Sequence, residues 1–178
     1  RVMPGPHYID SIREFPRVYA GVTETSADAV EEFLKTIIDT SVCEFTRLEH
    51  TNASEMAKVL ENSYRAVNIA FAVEWSRFAE EAGVDLYAIV NAIRARPTHT
   101  NLMYPGIGVG GYCLTKDPYF LDAFAKKYNS SFKTAITSRL VNEESPFYAA
   151  KRLDEALSIQ YPELDKDKIQ IGILGLSF

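Results

Sequence analysis

Several residue types that could perform chemistry occur together in the stretch 105–118, which reads PGIGVGGYCLTKDP. Cys113 follows a pair of glycines and precedes Lys116 and Asp117. A nearby cation and the start of a helix both stabilise a thiolate, which is a strong nucleophile. A free cysteine is also often a small buried apolar side chain. The residues alone therefore leave two interpretations of Cys113 open.

The glycines of this stretch also have the spacing G-x-G-x-x-G, at Gly106, Gly108 and Gly111. In a dinucleotide site, a buried strand precedes the first glycine and a helix begins at the last one. Residues 97–105 are mostly polar and have proline at both ends, and Pro118 puts the next helix start about seven residues after Gly111. The spacing therefore does not favour a dinucleotide site.

A second group of polar residues lies on the longest predicted helix. Residues 53–82 contain no glycine or proline, and Gly83 is placed to end a helix of about 30 residues and roughly 45 Å. Asn52 and Glu55 have the spacing of a capping box at its start. The middle of this helix, AVNIAFAVEW, is apolar on more than one face, which indicates the centre of a bundle or burial against a second chain.

Lys58 and Asn62 are four residues apart on this helix, with Glu55 one turn earlier, so they share one face. Such residues usually form a solvated polar stripe. An alternative is that they face Cys113, and only the fold can decide between the two.

The remaining pattern predicts a helical domain flanked by α/β pieces. Strands are predicted at 17–22, 41–48 and 168–174, where residues with strand propensity cluster. Asp117 is a candidate N-cap for a helix with Pro118 at its first position. A long helix follows from about residue 132 to 159, with a kink or restart expected near Pro146.

The composition excludes several classes of protein. The chain has 178 residues and a net charge of −5, which argues against nucleic acid and anionic membrane as partners. Cys43 and Cys113 have no metal-ligand or disulfide spacing, so we expect free thiols and no metal site. No apolar run approaches the length of a membrane span, and no signal-peptide pattern opens the chain. These features predict a soluble, cytoplasmic protein.

Two of these motifs resemble those of a known family, the nucleotide-sugar 6-dehydrogenases that act on UDP-glucose, UDP-N-acetylhexosamines or GDP-mannose. The helix motif Glu-x-x-Lys-x-x-x-Asn occurs here as Glu55, Lys58 and Asn62, and the active-site loop Gly-Gly-x-Cys-x-x-Lys-Asp occurs as GGYCLTKD. RVMPG at the start of the chain and IGILGLSF at its end are similar to segments that flank the family's central domain.

The resemblance implies a mainly α-helical fold, like the carboxyl-terminal domain of 6-phosphogluconate dehydrogenase, between remnants of two Rossmann-like domains. Residues 1–50 would be the tail of the NAD-binding domain, 51–166 the catalytic and dimerisation domain, and 167–178 the first strand of the UDP-binding domain. The family's members form homodimers through the long helix, here residues 53–82. The chain alone would lack most of the NAD site and would be inactive.

The family reaction is the oxidation of a sugar C6 alcohol to a carboxylate in two NAD-dependent steps. The resemblance makes Cys113 the nucleophile that forms a thiohemiacetal and then a thioester. It assigns Lys58 and Asn62 to stabilising the oxyanion and Asp117 to acting as a base or orienting water. The substrate-binding residues carried over from the family are Gly110, Gly111, Tyr112, His99 and Lys116.

Some positions depart from the pattern of the UDP-glucose enzymes. Pro4 stands where those enzymes carry a catalytic glutamate, and GVGG and DPYFL are more similar to the N-acetylhexosamine branch. Lys116 is more typical of the glucose enzymes, and His99 replaces an arginine that reaches the neighbouring subunit's sugar. These departures favour a UDP-N-acetylhexosamine, with UDP-glucose as the alternative.

The residues leave two other hypotheses open. The chain could be a helical dimerisation module without chemistry, or a related oxidoreductase that uses no thiol. Convergence of Cys113, Lys58, Asn62 and Asp117 on one pocket distinguishes these hypotheses from the dehydrogenase.

Overall fold

The fold is described by a computed structural model that covers residues 5–163, 165 and 168–175. Within these residues the chain is mainly helical, with two short strands, so the predicted fold class is confirmed. The chain folds as two compact units, residues 1–60 and residues 61–178.

The first unit contains a small β-α-β arrangement. Strand β1 (Arg17–Tyr19) pairs in parallel with β2 (Phe45–Arg47), and helix α2 (Glu24–Lys35) connects them. Both strands were predicted, but they are shorter than the sequence pattern indicated. The parallel pairing and the helical crossover confirm the expected α/β character of this part of the chain.

A helix that the sequence did not predict, α1 (Tyr8–Glu14), precedes β1. This helix has only seven residues, and such a short helix is unstable alone. The guanidinium of Arg17 donates hydrogen bonds to the carbonyls of Ser11 and Ile12, at 2.7 and 3.0 Å. Because α1 depends on contacts made after it in the chain, its own residues gave little signal.

The long helix α3 runs from Thr51 to Glu81. It begins before Asn52, so the predicted capping box at Asn52 is wrong, and Asn52 lies in the first turn. The predicted stop is confirmed, because Gly83 has a φ of +68° and the amide of Val84 bonds the carbonyl of Ala79 at 2.8 Å. This is the pattern with which a left-handed glycine closes a helix.

The second unit places three further helices around the larger part of α3. These are α4 (Leu86–Arg94), α5 (Asp117–Lys126) and α6 (Lys133–Gln160), with a 3-10 turn at Pro97–His99. Helix α6 is continuous through Pro146, so it does not restart there.

Helices α3 and α6 lie side by side and run in the same direction. Near the start of their contact, the side-chain amide of Asn142 donates to the carbonyl of Ala66 at 3.1 Å, and further along Arg152 bonds Glu80 at 2.8 Å. An apolar core of Ala70, Val73 and Val141 packs between these points. The residues of α3 at this contact are mostly small, and Ala66 is fully buried.

The predicted strand at 168–174 does not form, because a strand needs a neighbouring strand with which to pair and none is present there among the described residues. Residues 1–4, 164, 166–167 and 176–178 lie outside the described residues. They include Pro4 with most of RVMPG, and the last three residues of IGILGLSF.

Over the described ranges, no helix is both long enough and apolar enough to cross a membrane.

The tight contact at Ala66 gives a stability prediction. Ala66 is fully buried, so Ala66→Val forces two methyl groups into a packed helix interface and is expected to lower the free energy of unfolding by about 2 kcal/mol. Urea denaturation measures the change. Ala88→Val on the exposed face of α4 is the matched control, with an expected loss of about 0.5 kcal/mol from helix propensity. Equal losses in the two variants would contradict the close packing.

Candidate functional site

The candidate site is organised by the carboxylate of Asp117, the first residue of α5. Asp117 is 5% exposed, and its two oxygens accept hydrogen bonds from Asn62 Nδ2 at 2.5 Å and from Lys116 Nζ at 2.9 Å. The prediction that Asp117 is the N-cap is wrong by one position, since Lys116 precedes the helix and no side chain caps it. The carboxylate is therefore free of a capping role and joins α5 to α3.

A tight turn places Cys113 directly before this carboxylate. The amides of Lys116 and Asp117 donate to the carbonyl of Cys113, at 3.2 and 2.9 Å. The hydroxyl of Thr115 closes the turn by donating to the carbonyl of Gly111 at 2.7 Å, and the side chain of Leu114 is buried. These bonds fix the backbone that carries the thiol.

The thiol itself is accessible. Cys113 is exposed, whereas Cys43 in the first unit is buried, with its sulfur 3.5 Å from the carbonyl of Asp39. The interpretation of Cys113 as a buried apolar side chain is therefore wrong. An exposed thiol with a cation nearby has the surroundings of a reactive cysteine.

That cation is Lys116, whose ammonium bonds Asp117 and lies 5.0 Å from the centre of the Phe120 ring. The hydrogen bond to Asp117 raises the pKa of Lys116, and the negative charge of the Asp117 carboxylate adds to this effect. Lys116 is therefore firmly protonated at neutral pH and can stabilise a negative charge at the turn.

The other residues carried over from the family pattern have varied surroundings. Gly111 has a φ of +82°, which favours glycine, and Tyr112 is almost completely exposed. His99 is exposed on the 3-10 turn, where its Nδ1 lies 2.8 Å from the hydroxyl of Thr98. Among the described residues, no hydrogen bond or ion pair connects His99 with the turn at Cys113. Lys58 is exposed on α3, and the boundary between the two compact units follows Leu60.

The sequence interpretation missed Thr115 and Asn142. Thr115 closes the turn that carries Cys113, and Asn142 joins α6 to α3. The signal for Asn142 was the proline four residues later, because a proline inside a helix deprives the carbonyl of the fourth residue before it of its donor.

The glycine loop does not fit a dinucleotide. In the part of the second unit that the structure describes, no strand precedes Gly106, and α5 begins at Asp117, well after Gly111. A pyrophosphate would therefore not meet a helix N-terminus at the last glycine. The part of the chain that the structure covers also contains no group of three or more His, Cys, Asp or Glu side chains placed to hold a metal ion.

Comparison with known proteins identifies relatives over the whole chain. Residues 52–144 match the family model described as the UDP-glucose/GDP-mannose dehydrogenase family, central domain. The UDP-N-acetyl-D-mannosamine dehydrogenase of Pyrococcus horikoshii is 34% identical over 178 residues, which are all of this chain and 40% of that protein. The enzyme of the same name from Escherichia coli is 31% identical over the whole chain and 41% of its own length.

Solved structures agree with these matches. The structure of the UDP-D-ManNAc dehydrogenase from Pyrococcus horikoshii superposes with a TM-score of 0.81 at 35% identity, covering 90% of this chain and 36% of that one. An NDP-N-acetyl-D-galactosaminuronic acid dehydrogenase from Methanosarcina mazei gives a TM-score of 0.76 at 26% identity, covering 90% and 35%. The chain thus spans about two fifths of the length of the relatives that it matches.

The buried hydrogen bond between Asn62 and Asp117 gives a testable prediction. Asn62→Ala deprives a buried carboxylate of a donor, so it is expected to lower the free energy of unfolding by about 2 kcal/mol, as measured by urea denaturation. Asn52→Ala is the matched control, because Asn52 is exposed in the first turn of α3, and a change below about 0.5 kcal/mol is expected. A similar small change in Asn62→Ala would show that this bond does not support the fold.

Proposed function

Because the chain belongs to the UDP-glucose/GDP-mannose dehydrogenase family, we propose that it forms the central part of an enzyme that oxidises the C6 alcohol of a UDP-sugar to a carboxylate. The observation that carries the proposal is the accessible thiol of Cys113, held by a closed turn next to a buried carboxylate at Asp117. A dimerisation module without chemistry would not need either group in this arrangement.

Cys113 acts as the nucleophile in this proposal. Its thiolate adds to the carbon of the C6 aldehyde, and the carbonyl electrons move to oxygen to give a thiohemiacetal. Loss of hydride from that carbon leaves a thioester, and water then displaces the thiolate to give the carboxylate. The thiol is needed because the aldehyde carbon must become tetrahedral before it can lose a second hydride.

Lys58 and Asn62 stabilise the oxygen of the thiohemiacetal. The side-chain amide of Asn62 is a hydrogen-bond donor whose orientation is fixed by its bond to Asp117. Lys58 precedes Asn62 by one turn of α3 and contributes a positive charge. An amide donor held by a buried partner loses little entropy when the oxyanion forms.

Asp117 orients the water that hydrolyses the thioester. Each carboxylate oxygen can accept more than one hydrogen bond, so the bonds from Asn62 and Lys116 leave acceptor capacity for water. The substrate-binding set in this proposal consists of Lys116, Gly110, Gly111, Tyr112 and His99. The backbone amides of the glycine turn and the cation at Lys116 suit an anionic, hydroxyl-rich ligand.

NAD would accept both hydrides in the complete enzyme. The glycine loop does not fit a dinucleotide, so we assign the cofactor to residues outside this chain and expect the chain alone to be inactive. In the domain division that we propose, residues 1–50 end the NAD-binding domain, 51–166 form the central domain, and 167–178 begin the UDP-binding domain.

We propose a UDP-N-acetylhexosamine as the substrate, with UDP-glucose as the alternative. The proposal rests on the GVGG and DPYFL segments and on Pro4 in the sequence. It is supported by two relatives that are named as UDP-N-acetyl-D-mannosamine dehydrogenases. The two free cysteines fit a reducing compartment, so we propose that the enzyme is cytoplasmic.

We also propose that α3 forms a homodimer interface. Phe71, Trp75 and Phe78 recur along one face of α3, and each of these side chains is about half exposed or more. The rings of Phe71 and Phe78 contact that of Trp75, with centroids 6.1 and 5.8 Å apart. Beside them lies an apolar groove of about 270 Å³ lined in part by Ile89 and Ile93 of α4. A contiguous aromatic surface of this kind is typical of a protein interface.

The thiol chemistry is tested in an enzyme that joins this chain to the flanking domains of its Pyrococcus horikoshii relative. Cys113→Ser is expected to lower the rate of UDP-sugar acid formation about 1,000-fold, because a hydroxyl is a far weaker nucleophile at neutral pH. The products are followed by chromatography. Cys43→Ser is the matched control and should keep the parent rate, since Cys43 is buried in the other unit. Undiminished acid formation by Cys113→Ser would remove the thiol from the mechanism.

The dimer is tested by placing a charge on the aromatic face. Trp75→Glu is expected to weaken dimerisation at least about 30-fold, because Trp75 contacts both other rings of the face and a buried carboxylate there has no partner. Sedimentation velocity of the chain over a range of concentrations measures the equilibrium. Phe147→Glu, at an exposed phenylalanine of α6, is the matched control and should leave it unchanged. A dimer that tolerates Trp75→Glu would exclude this face as the interface.

A further inference from the structure

Pro146 creates a defect on the surface of α6. Proline has no amide hydrogen, so the carbonyl of Asn142, four residues earlier, lacks the donor that a regular helix would supply. Helix α6 nevertheless continues to Gln160. The result is a helical carbonyl without its usual amide in the middle of a long helix.

Gly108 of the glycine loop lies over this carbonyl. A Cβ atom placed on Gly108 would be 3.2 Å from the oxygen of Asn142 and 3.4 Å from Cδ of Pro146. The backbone of Gly108 also has a φ of +147°, which side chains other than that of glycine rarely adopt. Gly108 is therefore both in close contact with α6 and at a position that only glycine fills without strain.

Packing, rather than backbone hydrogen bonding, holds the loop against α6. Among the described residues, the segment from Gly106 to Tyr112 forms no backbone hydrogen bond to the rest of the chain. The carbonyl of Gly111 accepts one bond, from the hydroxyl of Thr115, but that bond is local. The close approach of Gly108 to α6 therefore has no backbone hydrogen bond to support it.

Asn142 carries this contact on to α3. Its backbone oxygen faces Gly108, and its buried side chain donates to the carbonyl of Ala66 at 3.1 Å. Ala66 is one turn after Asn62, whose amide holds Asp117. The glycine loop before Cys113 is therefore connected through α6 to α3, one turn from the residue that holds the carboxylate after Cys113.

We propose that Pro146, Asn142 and Gly108 are positioning residues, which dock the glycine loop on α6 and so fix where Cys113 stands relative to Asn62 and Asp117. The docking follows from the contacts alone. Its catalytic consequence rests on the function proposed above, because only a reacting thiol needs a fixed position. Pro146 has this role because its ring lies against Gly108 and because it leaves the carbonyl of Asn142 without an amide where the loop packs.

Limited proteolysis measures the docking directly, as the rate at which thermolysin cleaves this chain within residues 106–112. Gly108→Ala should make this cleavage about tenfold faster, because the added Cβ and the unfavourable φ move the loop away from α6. Gly106→Ala is the matched control, since a Cβ at Gly106 meets nothing within 4 Å. It should leave the cleavage rate within about twofold of the parent rate.

Pro146→Ala separates docking from general stability. The new amide can bond the carbonyl of Asn142, and the ring that lies against Gly108 is lost, so the melting temperature should rise while cleavage within residues 106–112 becomes about tenfold faster. If Pro146 affected only the stability of the fold, a higher melting temperature would be accompanied by slower cleavage. Unchanged cleavage of the loop in either Gly108→Ala or Pro146→Ala would overturn the proposal, and so would a lower melting temperature in Pro146→Ala.

These measurements need no substrate or cofactor. If the loop docks as proposed but the Cys113→Ser enzyme still forms acid, the docking stands. Its proposed role in positioning a reacting thiol is then rejected. Loss of acid formation in Cys113→Ser, together with unchanged cleavage of the loop in Gly108→Ala and Pro146→Ala, would support the thiol mechanism and reject the docking. The two proposals therefore fail separately.

Discussion

The second unit depends on one constraint, the need to satisfy a buried carboxylate. Asp117 is almost completely buried, and a carboxylate removed from water without partners is strongly unfavourable. Its oxygens are satisfied by Asn62 from α3 and by Lys116 from the residue before α5. Once these bonds form, the start of α5 has one position against α3, and the turn that carries Cys113 is fixed with it. A requirement of folding therefore also places the groups that the proposed reaction uses.

The surrounding helices make this position rigid. Helices α3 and α6 run side by side, and a buried hydrogen bond joins Asn142 of α6 to Ala66 of α3. A site held by packed helices keeps its geometry better than one held by loops alone. The glycine loop adds what the helices lack, a backbone that a ligand can reach without side chains in the way. The packed helices thus hold a turn whose cysteine, Cys113, is exposed to solvent.

The sequence predicted the parts of this fold that local signals determine. The extent of α3 followed from the absence of glycine and proline, and its end followed from Gly83. The boundaries at Asn52 and Asp117 were wrong by one or two positions, because several neighbouring residues could serve as a cap and only the tertiary contacts select one. Helix α1 was missed because Arg17 stabilises it from outside, and the strand at 168–174 was wrong because a strand needs a partner.

The site was predictable to the same extent and for the same reason. Cys113, Lys116 and Asp117 are close together along the chain and lie in one local turn. They could therefore be selected as candidate site residues without a structure. The contact between Gly108 and Asn142 joins positions that are far apart in sequence, and no local pattern encodes it. The sequence predicted that Pro146 disturbs α6. It did not predict which segment packs beside the carbonyl that lacks its amide. In this fold the carbonyl that Pro146 leaves without an amide faces the glycine loop, so a residue that weakens α6 as a helix gives the loop a place to dock.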